Sequence, residues 1–288
     1  MTRRGFRPFL RIAGRAWLRR AVLESELGRP DAVTVLIGAR NRANYRLENA
    51  LRSIRAQTYP ASLVHAMVVD YGSDPADAAR TAAMCARFEA EYVRVDGVDV
   101  WSRSRCLNVG IRRAATKFLQ ISDADIVFPP RYLAGCVEVL RAAPISVVGS
   151  AMLDLPEESA RELERAASED GVLDAWTHAG RPRNGEPHHV SICATYTAFF
   201  HAVRGYDEFY EVWGEEDDDL HRRFVYLGLT PRTLGPDCSY LHQWHPDSER
   251  ARDGENAERV RRNQLYLSQA HSILRNDGRW GIPHGTAG

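Results

Sequence analysis

Apolar positions along the chain follow two alternating rhythms. Short unbroken apolar runs are each followed by a stretch in which apolar residues recur every three or four positions. Val33 to Ile37 reads as a buried strand, and Leu47, Ala50, Leu51 and Ile54 then take helical spacing up to the break at Tyr59-Pro60. Val64 to Asp70 predicts a second strand, Ala76 to Tyr92 a helix, and Tyr92 to Val95 a short third strand. A helix over Ser102 to Ala115, a strand over Lys117 to Ser122, a helix over Arg131 to Ala142 and a strand over Ile145 to Ala151 continue the series. Strands and helices of this length in alternation imply βαβ units, hence an α/β fold on a mostly parallel sheet. In such sheets ligands bind beyond the carboxyl ends of the strands.

The second half is less regular. Asp154 to Asp170 reads as a helix, Gly171 to His189 as a loop rich in Gly, Pro and His, and Ser191 to His201 as a strand. A helix opens after Gly214, with Leu220, Phe224 and Leu227 on its apolar side, and a long one runs from about Asn256 to Leu274. The expected organisation is an arm over residues 1–28, a first half over 29–150 and a second over 151–288.

The arm stands out by charge. The whole chain of 288 residues balances 38 basic against 38 acidic side chains, yet its first twenty residues hold seven arginines and no acid. Phe6, Phe9, Leu10, Ala13, Ala16, Trp17 and Leu18 can share one side of a helix with arginines opposite, a pattern suited to an anionic membrane surface. The plainer alternative is a helix docked on its own domain. No apolar stretch of signal-peptide form follows these arginines, and none approaches the roughly 18 residues of a membrane span. A cytoplasmic location, with contact at the inner membrane face through residues 1–20, fits this pattern. Ordinary globular composition excludes disorder and a disulfide miniprotein. Five cysteines without CxxC spacing point to a reducing compartment and no structural zinc. Because arginine supplies nearly all the positive charge, the arm is no argument for nucleic acid.

Four acidic or histidine-bearing clusters fall where ligands are expected. Asp123 and Asp125, one residue apart at a strand end, can hold a hard divalent cation, Mn²⁺ or Mg²⁺, against a diphosphate. Asp70, in Val68-Val69-Asp70-Tyr71-Gly72-Ser73, can accept hydrogen bonds from a base or ribose. Between Glu211 and Asp219 six acids occupy nine residues, more than helix capping requires, and one can act as a general base. Trp213 beside Gly214 has the look of a mobile lid or of a core tryptophan. His242 and His245 lie just after an expected strand, and neutral imidazole ligates Mn²⁺ or Zn²⁺.

Taken in this order, these elements resemble the GT-A family of nucleotide-sugar glycosyltransferases, specifically family 2 enzymes with a galactosyltransferase-like carboxy-terminal region. The opening Val33-Thr34-Val35-Leu36-Ile37-Gly38-Ala39-Arg40-Asn41-Arg42 resembles that family's first strand and nucleotide loop. Val68 to Ser73 is similar to its Val-Val-Asp-Asp-Gly-Ser turn, Asp123-Ala124-Asp125 to its metal motif, and Trp213 to Asp219 to the Trp-Gly-Gly-Glu-Asp-Asp-Asp of the galactosyltransferase group. The resemblance spans about residues 32 to 250. Tyr71 departs from the second aspartate of the turn, and Glu215 from a glycine.

The resemblance implies a GT-A fold, a Rossmann-like central sheet flanked by helices with a C-terminal acceptor-binding half. It implies a metal-dependent transferase moving a hexose or N-acetylhexosamine from a nucleotide sugar, UDP-sugar favoured, to an acceptor hydroxyl, with inversion favoured and retention, which some GT-A relatives with the same metal site show, left open. The acceptor class stays open among saccharide, lipid-linked, peptide and small-molecule hydroxyls. By the same resemblance Ala39 and Arg40 line the uridine, Asp70 contacts the base, Arg105 faces the diphosphate, and Trp213 borders the donor. Asp123 contacts ribose or metal, Asp125 ligates the metal, and His242, or in its place His245, is the second protein ligand. Glu216 binds acceptor and Asp217 deprotonates it. Two rivals are kept: a haloacid-dehalogenase-like phosphatase with Asp123 as nucleophile, which wants its motif on the first strand, and a non-catalytic nucleotide-sugar-binding protein.

Overall fold

Strand β1 (Val33–Ala39) is buried along nearly its whole length, so both its faces are apolar and no polar alternation marks it. It pairs in parallel with β2 (Val64–Tyr71) on one side and β4 (Phe118–Asp123) on the other, and β2 pairs in parallel with β3 (Glu91–Val95). The register sets Gly38 beside both Val69 and Asp123, and Ala39 beside Asp70. Three strands therefore end level, and the crevice beyond them is fixed by pairing alone. The computed structural model describes residues 6–165, 180–183, 191–246, 255–269 and 272–283.

The intervening helices start where side chains satisfy their first N–H groups. Asn44 caps α2 (Tyr45–Arg55), Asp74 caps α3 (Pro75–Arg87) with Pro75 in its first turn, and Ser102 caps α4 (Arg103–Arg113) by accepting from Arg105 N at 3.2 Å. Helix α3 ends before the expected Tyr92: Glu89 takes a left-handed φ of 52° and Tyr92 pairs in β3. Helix α4 lies tight on β1, where a Cβ added to Gly110 would sit 2.2 Å from Leu36 Cδ1. That close approach brings the start of α4 to the mouth of the crevice.

The second half departs further from the periodicity. The run from Ile145 divides into β6 (Ser146–Gly149), in the large sheet, and β7 (Met152–Asp154), in a separate one. Ser191 to His201 is a strand only over β9 (Ala194–Tyr196), which inserts antiparallel between β4 and β6. From Thr197 the chain turns into a short helix, α7 (Thr197–Ala202), whose Phe199 and Phe200 are buried. Between them lies α6 (Glu157–Arg165); the remainder of that expected helix, residues 166–170, lies outside the described residues. So does the expected loop Gly171–His189, apart from 180–183, where Arg181–Pro182 form β8 on β7.

Helix α8 (Glu216–Leu227) follows, then β10 (Thr230–Thr233) on the edge beside β6 and β11 (Tyr240–His242). A last helix, α9 (Glu255–Gln269), is shorter than the expected Asn256–Leu274. Among the described residues the large sheet has the order β10-β6-β9-β4-β1-β2-β3. The small one runs β5-β11-β7-β8, with β5 (Ile126–Val127) an unexpected strand.

One hydrophobic cluster runs through both halves, from Val22 to Trp280. Helix α1 (Phe6–Ser25) joins it through Val22 and rests on α7, while Trp17 is 70% exposed. No described helix is long and apolar enough to cross a membrane. All five cysteines are buried and unbridged, and burial pushes the Cys85 and Cys193 thiols up to about 12, which keeps them protonated and inert.

Candidate active site

Beyond the carboxyl ends of β1 and β4 opens a cleft of about 1150 Å³. Ala39, Arg40, Asp123 and Asp125 line one wall, Trp213, Glu216 and Asp217 face them from the start of α8, and His242 and His245 close a third side. Residues separated by more than two hundred positions thus share one space.

Asp125, His242 and His245 come together, with one ligand atom from each lying within 4.8 Å of the others. Both imidazoles meet the carboxylate: His242 Nε2 is 3.7 Å and His245 Nε2 3.5 Å from Asp125 Oδ2. The two histidines expected as alternatives therefore stand side by side. Gln243 between them explains how. Fully buried, it receives a hydrogen bond from Asn49 Nδ2, donates to the Arg46 carbonyl, and gives its backbone N–H to the Asp125 carbonyl, each at 2.9 Å. The loop is thereby tied to α2 and to the aspartate turn at once.

The donor chemistry fits a divalent cation. His245 Nδ1 donates to the Pro246 carbonyl at 3.2 Å, which leaves the Nε2 lone pair facing Asp125. His242 Nδ1 lies 3.0 Å from Asp154 Oδ1, so its Nε2 lone pair also turns inward. Arg183 Nη2 comes within 2.7 Å of the same Nδ1. A guanidinium and a carboxylate cannot both use one ring nitrogen, and Asp154, already gripped by Arg183, is the partner an N–H satisfies. Burial holds His245 below its ordinary value, hence neutral at pH 7. Burial raises the Asp125 carboxyl, but the facing imidazoles and the positive charge of Arg46 and Arg42 hold it below its ordinary value, so it is ionised. One carboxylate and two imidazoles converging in this way are a donor set that could hold a divalent cation.

Across the cleft the organising group is Arg103, at the first turn of α4. Its Nε bonds Asp123 Oδ1 at 2.8 Å, its Nη1 bonds Asp217 Oδ1 at 2.5 Å and stands 3.9 Å from Glu216, and its Nη2 reaches the Ser191 carbonyl at 3.3 Å. The guanidinium also lies over the Tyr206 ring, 5.6 Å from its centroid. One cation here serves three carboxylates. Burial first, and then the Asp217 charge, push Glu216 up to about 8; burial and the Asp123 charge raise Asp217 to about 6, with Arg103 pulling both down. At neutral pH Glu216 is thus largely a neutral acid and Asp217 a carboxylate that accepts a proton readily.

Two expected donor residues lie elsewhere. Arg105 follows Arg103 by two positions, about 200° around the helix, so it points away from the cleft and donates to the Glu208 carbonyl at 3.2 Å. Asp70 is fully buried: its oxygens accept from Ser73 N at 3.0 Å, Tyr92 OH at 2.7 Å and Arg94 Nη1 at 3.0 Å. It pins the turn after β2 and does not line the cleft. Trp213, 44% exposed, lines the cleft and does not belong to the core. The sequence reading also passed over Arg103, Asp154, Arg183 and Gln243. Only for Arg103 was a signal present, since the Ser102 cap fixes which arginine begins the helix.

A second cavity, about 450 Å³, lies at the opposite ends of β1, β2 and β4. Arg113 pairs with Glu91 within it, and Arg29, Lys117 and Glu89 pair with Glu26, Asp31 and Arg55 beyond its lining.

Residues 30–208, more than half of the chain, match the family described as glycosyltransferase-like family 2. The chain belongs to that family. Residues 180–245, which include Asp217 and His242, match the domain described as the N-terminal domain of galactosyltransferase. No curated protein matches the chain. The glycosyltransferase carries the expected mostly parallel sheet with flanking helices, and its activity is glycosyl transfer. The phosphatase rival fails on order as well, since Asp123 ends the fourth strand and not the first.

Proposed function

We propose that this glycosyltransferase moves a hexose or N-acetylhexosamine from a nucleotide sugar, UDP-sugar favoured, to an acceptor hydroxyl with inversion, and that it depends on a divalent cation. One observation carries the reading: three inward lone-pair donors, Asp125, His242 and His245, stand in the same cleft as a carboxylate held near pH 6, Asp217. A cation held by the three would offset the negative charge that grows on the departing diphosphate. Two imidazoles beside one carboxylate favour Mn²⁺ over the harder Mg²⁺.

Each remaining role falls to a side chain. Ala39 and Arg40 border the nucleoside, and Asp123, steadied by Arg103, faces the ribose. Glu216, largely neutral, donates a hydrogen bond to the acceptor. Asp217 takes the proton from the acceptor hydroxyl as its oxygen bonds to the anomeric carbon and the carbon–diphosphate bond breaks on the opposite side. A single displacement inverts the configuration. Residues 1–20, arginine-rich and carrying the exposed Trp17, support peripheral contact with an anionic membrane surface as part of this proposal.

A panel of nucleotide sugars with Mn²⁺, read as hydrolysis and transfer, tests the proposal. Turnover of uridine donors that chelation abolishes is the expected result. Exclusive turnover of guanosine or thymidine donors overturns the nucleotide, and full activity after chelation overturns the cation.

A further inference from the structure

We infer that Asp154, clamped by Arg183, is the positioning residue that fixes His242 as a ligand, so that a carboxylate–imidazole pair lies behind the cation site. The inference rests on the cation-binding reading above. Asp154 closes β7, and His242 closes β11; the two strands pair in parallel with Asp154 and His242 in register. Their side chains therefore leave the small sheet side by side, and Asp154 Oδ1 reaches His242 Nδ1 at 3.0 Å. An imidazole has one N–H when neutral. A carboxylate against Nδ1 draws that proton to Nδ1 and leaves Nε2 as the lone pair, which is the nitrogen turned to Asp125.

Arg183 gives this carboxylate its fixed attitude. Its Nε bonds both Asp154 oxygens, at 3.0 and 2.8 Å, and its Nη2 also contacts Oδ1. With both oxygens engaged, Asp154 stays behind the histidine instead of swinging in as a competing ligand. Arg183 directly follows β8, whose Arg181 pairs with Asp154 across the small sheet, so backbone pairing and side-chain bonding agree on the same geometry. Strand register and the carboxylate meet at Nδ1, and of the two groups there, Asp154 Oδ1 at 3.0 Å and Arg183 Nη2 at 2.7 Å, only the carboxylate can accept the ring proton.

The test uses the whole chain. In metal-free protein labelled with ¹⁵N-histidine, His242 is expected as the Nδ1–H tautomer, and Asp154→Ala is expected to release it towards a tautomer mixture. Mn²⁺ titrated into the same proteins and followed by electron paramagnetic resonance is expected to bind Asp154→Ala about 10–100-fold more weakly than wild type. Asp154→Asn, whose carbonyl oxygen still accepts from Nδ1, should recover much of that loss, and a merely structural residue would show no such rescue. An Nε2–H tautomer in wild type overturns the inference whether or not Mn²⁺ binds. Mn²⁺ affinity in Asp154→Ala and Asp154→Asn within threefold of wild type overturns it too. Absence of Mn²⁺ binding to wild type defeats the cation reading instead, and the tautomer still decides the Asp154 pairing.

Discussion

Replacing Arg103 by methionine keeps an apolar stem of similar reach and removes the one cation that Asp123, Asp217 and Glu216 share. Deleting one partner of a buried ion pair costs about 3–5 kcal/mol while the orphaned charge persists. Here two of the orphans can escape by binding a proton. Arg103 pulls both Glu216 and Asp217 down, so without it Glu216 rises above about 8 and Asp217 above about 6. Both carboxyls are then higher in the folded chain than in the unfolded one. The folded state binds more protons between those limits, and stability falls as pH rises through the folded values. The variant should therefore be near wild type at pH 5 and carry its full penalty above pH 8, a fall in Tm of about 6–10 °C for a chain of this size. Scanning fluorimetry at the two pH values reads the first effect. A pH series of kcat/KM reads the second, since the acid limb that Asp217 sets near 6 should move upward. Equal Tm losses at pH 5 and pH 8, with an unmoved acid limb, would refute the claim that Arg103 pulls these two carboxyls down.

Other perturbations separate the cation, the base and the scaffold. Mn²⁺ at a hundred times its Kd should stabilise wild type by about 2.7 kcal/mol, and Asp125→Ala should abolish that gain along with transfer, both seen by fluorimetry and product assay. Asp217→Asn should spare donor affinity while lowering turnover by at least about 100-fold, measured by calorimetry beside a rate assay. Gln243→Leu strands Asn49 Nδ2 and the Arg46 carbonyl; denaturant unfolding should show a loss of about 2–4 kcal/mol, with weaker Mn²⁺ binding. Gly110→Ala drives a methyl into Leu36 and should destabilise by about 1–3 kcal/mol with kcat/KM little changed, because α4 is displaced only where it crosses β1.

The first half was legible because its signals are local. Strands buried on both faces read as unbroken apolar runs, and Asn44, Asp74 and Ser102 mark where helices begin. The second half turns on events that no window of sequence contains. An apolar run such as Ser191 to His201 suits strand or helix equally, and it becomes each in turn because Ala194 to Tyr196 find a gap between β4 and β6. Ser150 and Ala151 look like the end of a strand, and are the point where the chain passes from one sheet to another. Asp70 carries every outward sign of a ligand contact, but partners on β3 consume it, and those partners lie more than twenty residues on. His242 and His245 read as alternatives because only the buried anchoring of Gln243 turns both towards Asp125.

Helix α8 shows why the acidic run is longer than capping needs. Its acids divide by direction. Glu216 and Asp217 face the cleft, while Asp219, fully buried, bonds Arg223 Nε at 2.6 Å and Arg275 Nη2 at 3.2 Å. Arg223 in turn donates to the carbonyls of Val203 and Gly205 and is itself fully buried, below which Leu220, Phe224 and Leu227 enter the core. The helix is therefore held from its inner side, and it needs to be. Ionising the cleft-facing pair destabilises the fold, and Val212 and Glu215 hold left-handed φ angles of 65° and 74°, each costing about 1–3 kcal/mol. Asn263 on α9 donates to the carbonyls of Glu211, Trp213 and Gly214, so the strained approach is braced from outside as well. A carboxylate kept basic at neutral pH is an unstable thing to bury, and it persists here because the next turn of the same helix is anchored by a buried ion pair, Asp219 with Arg223, that lies outside the cleft.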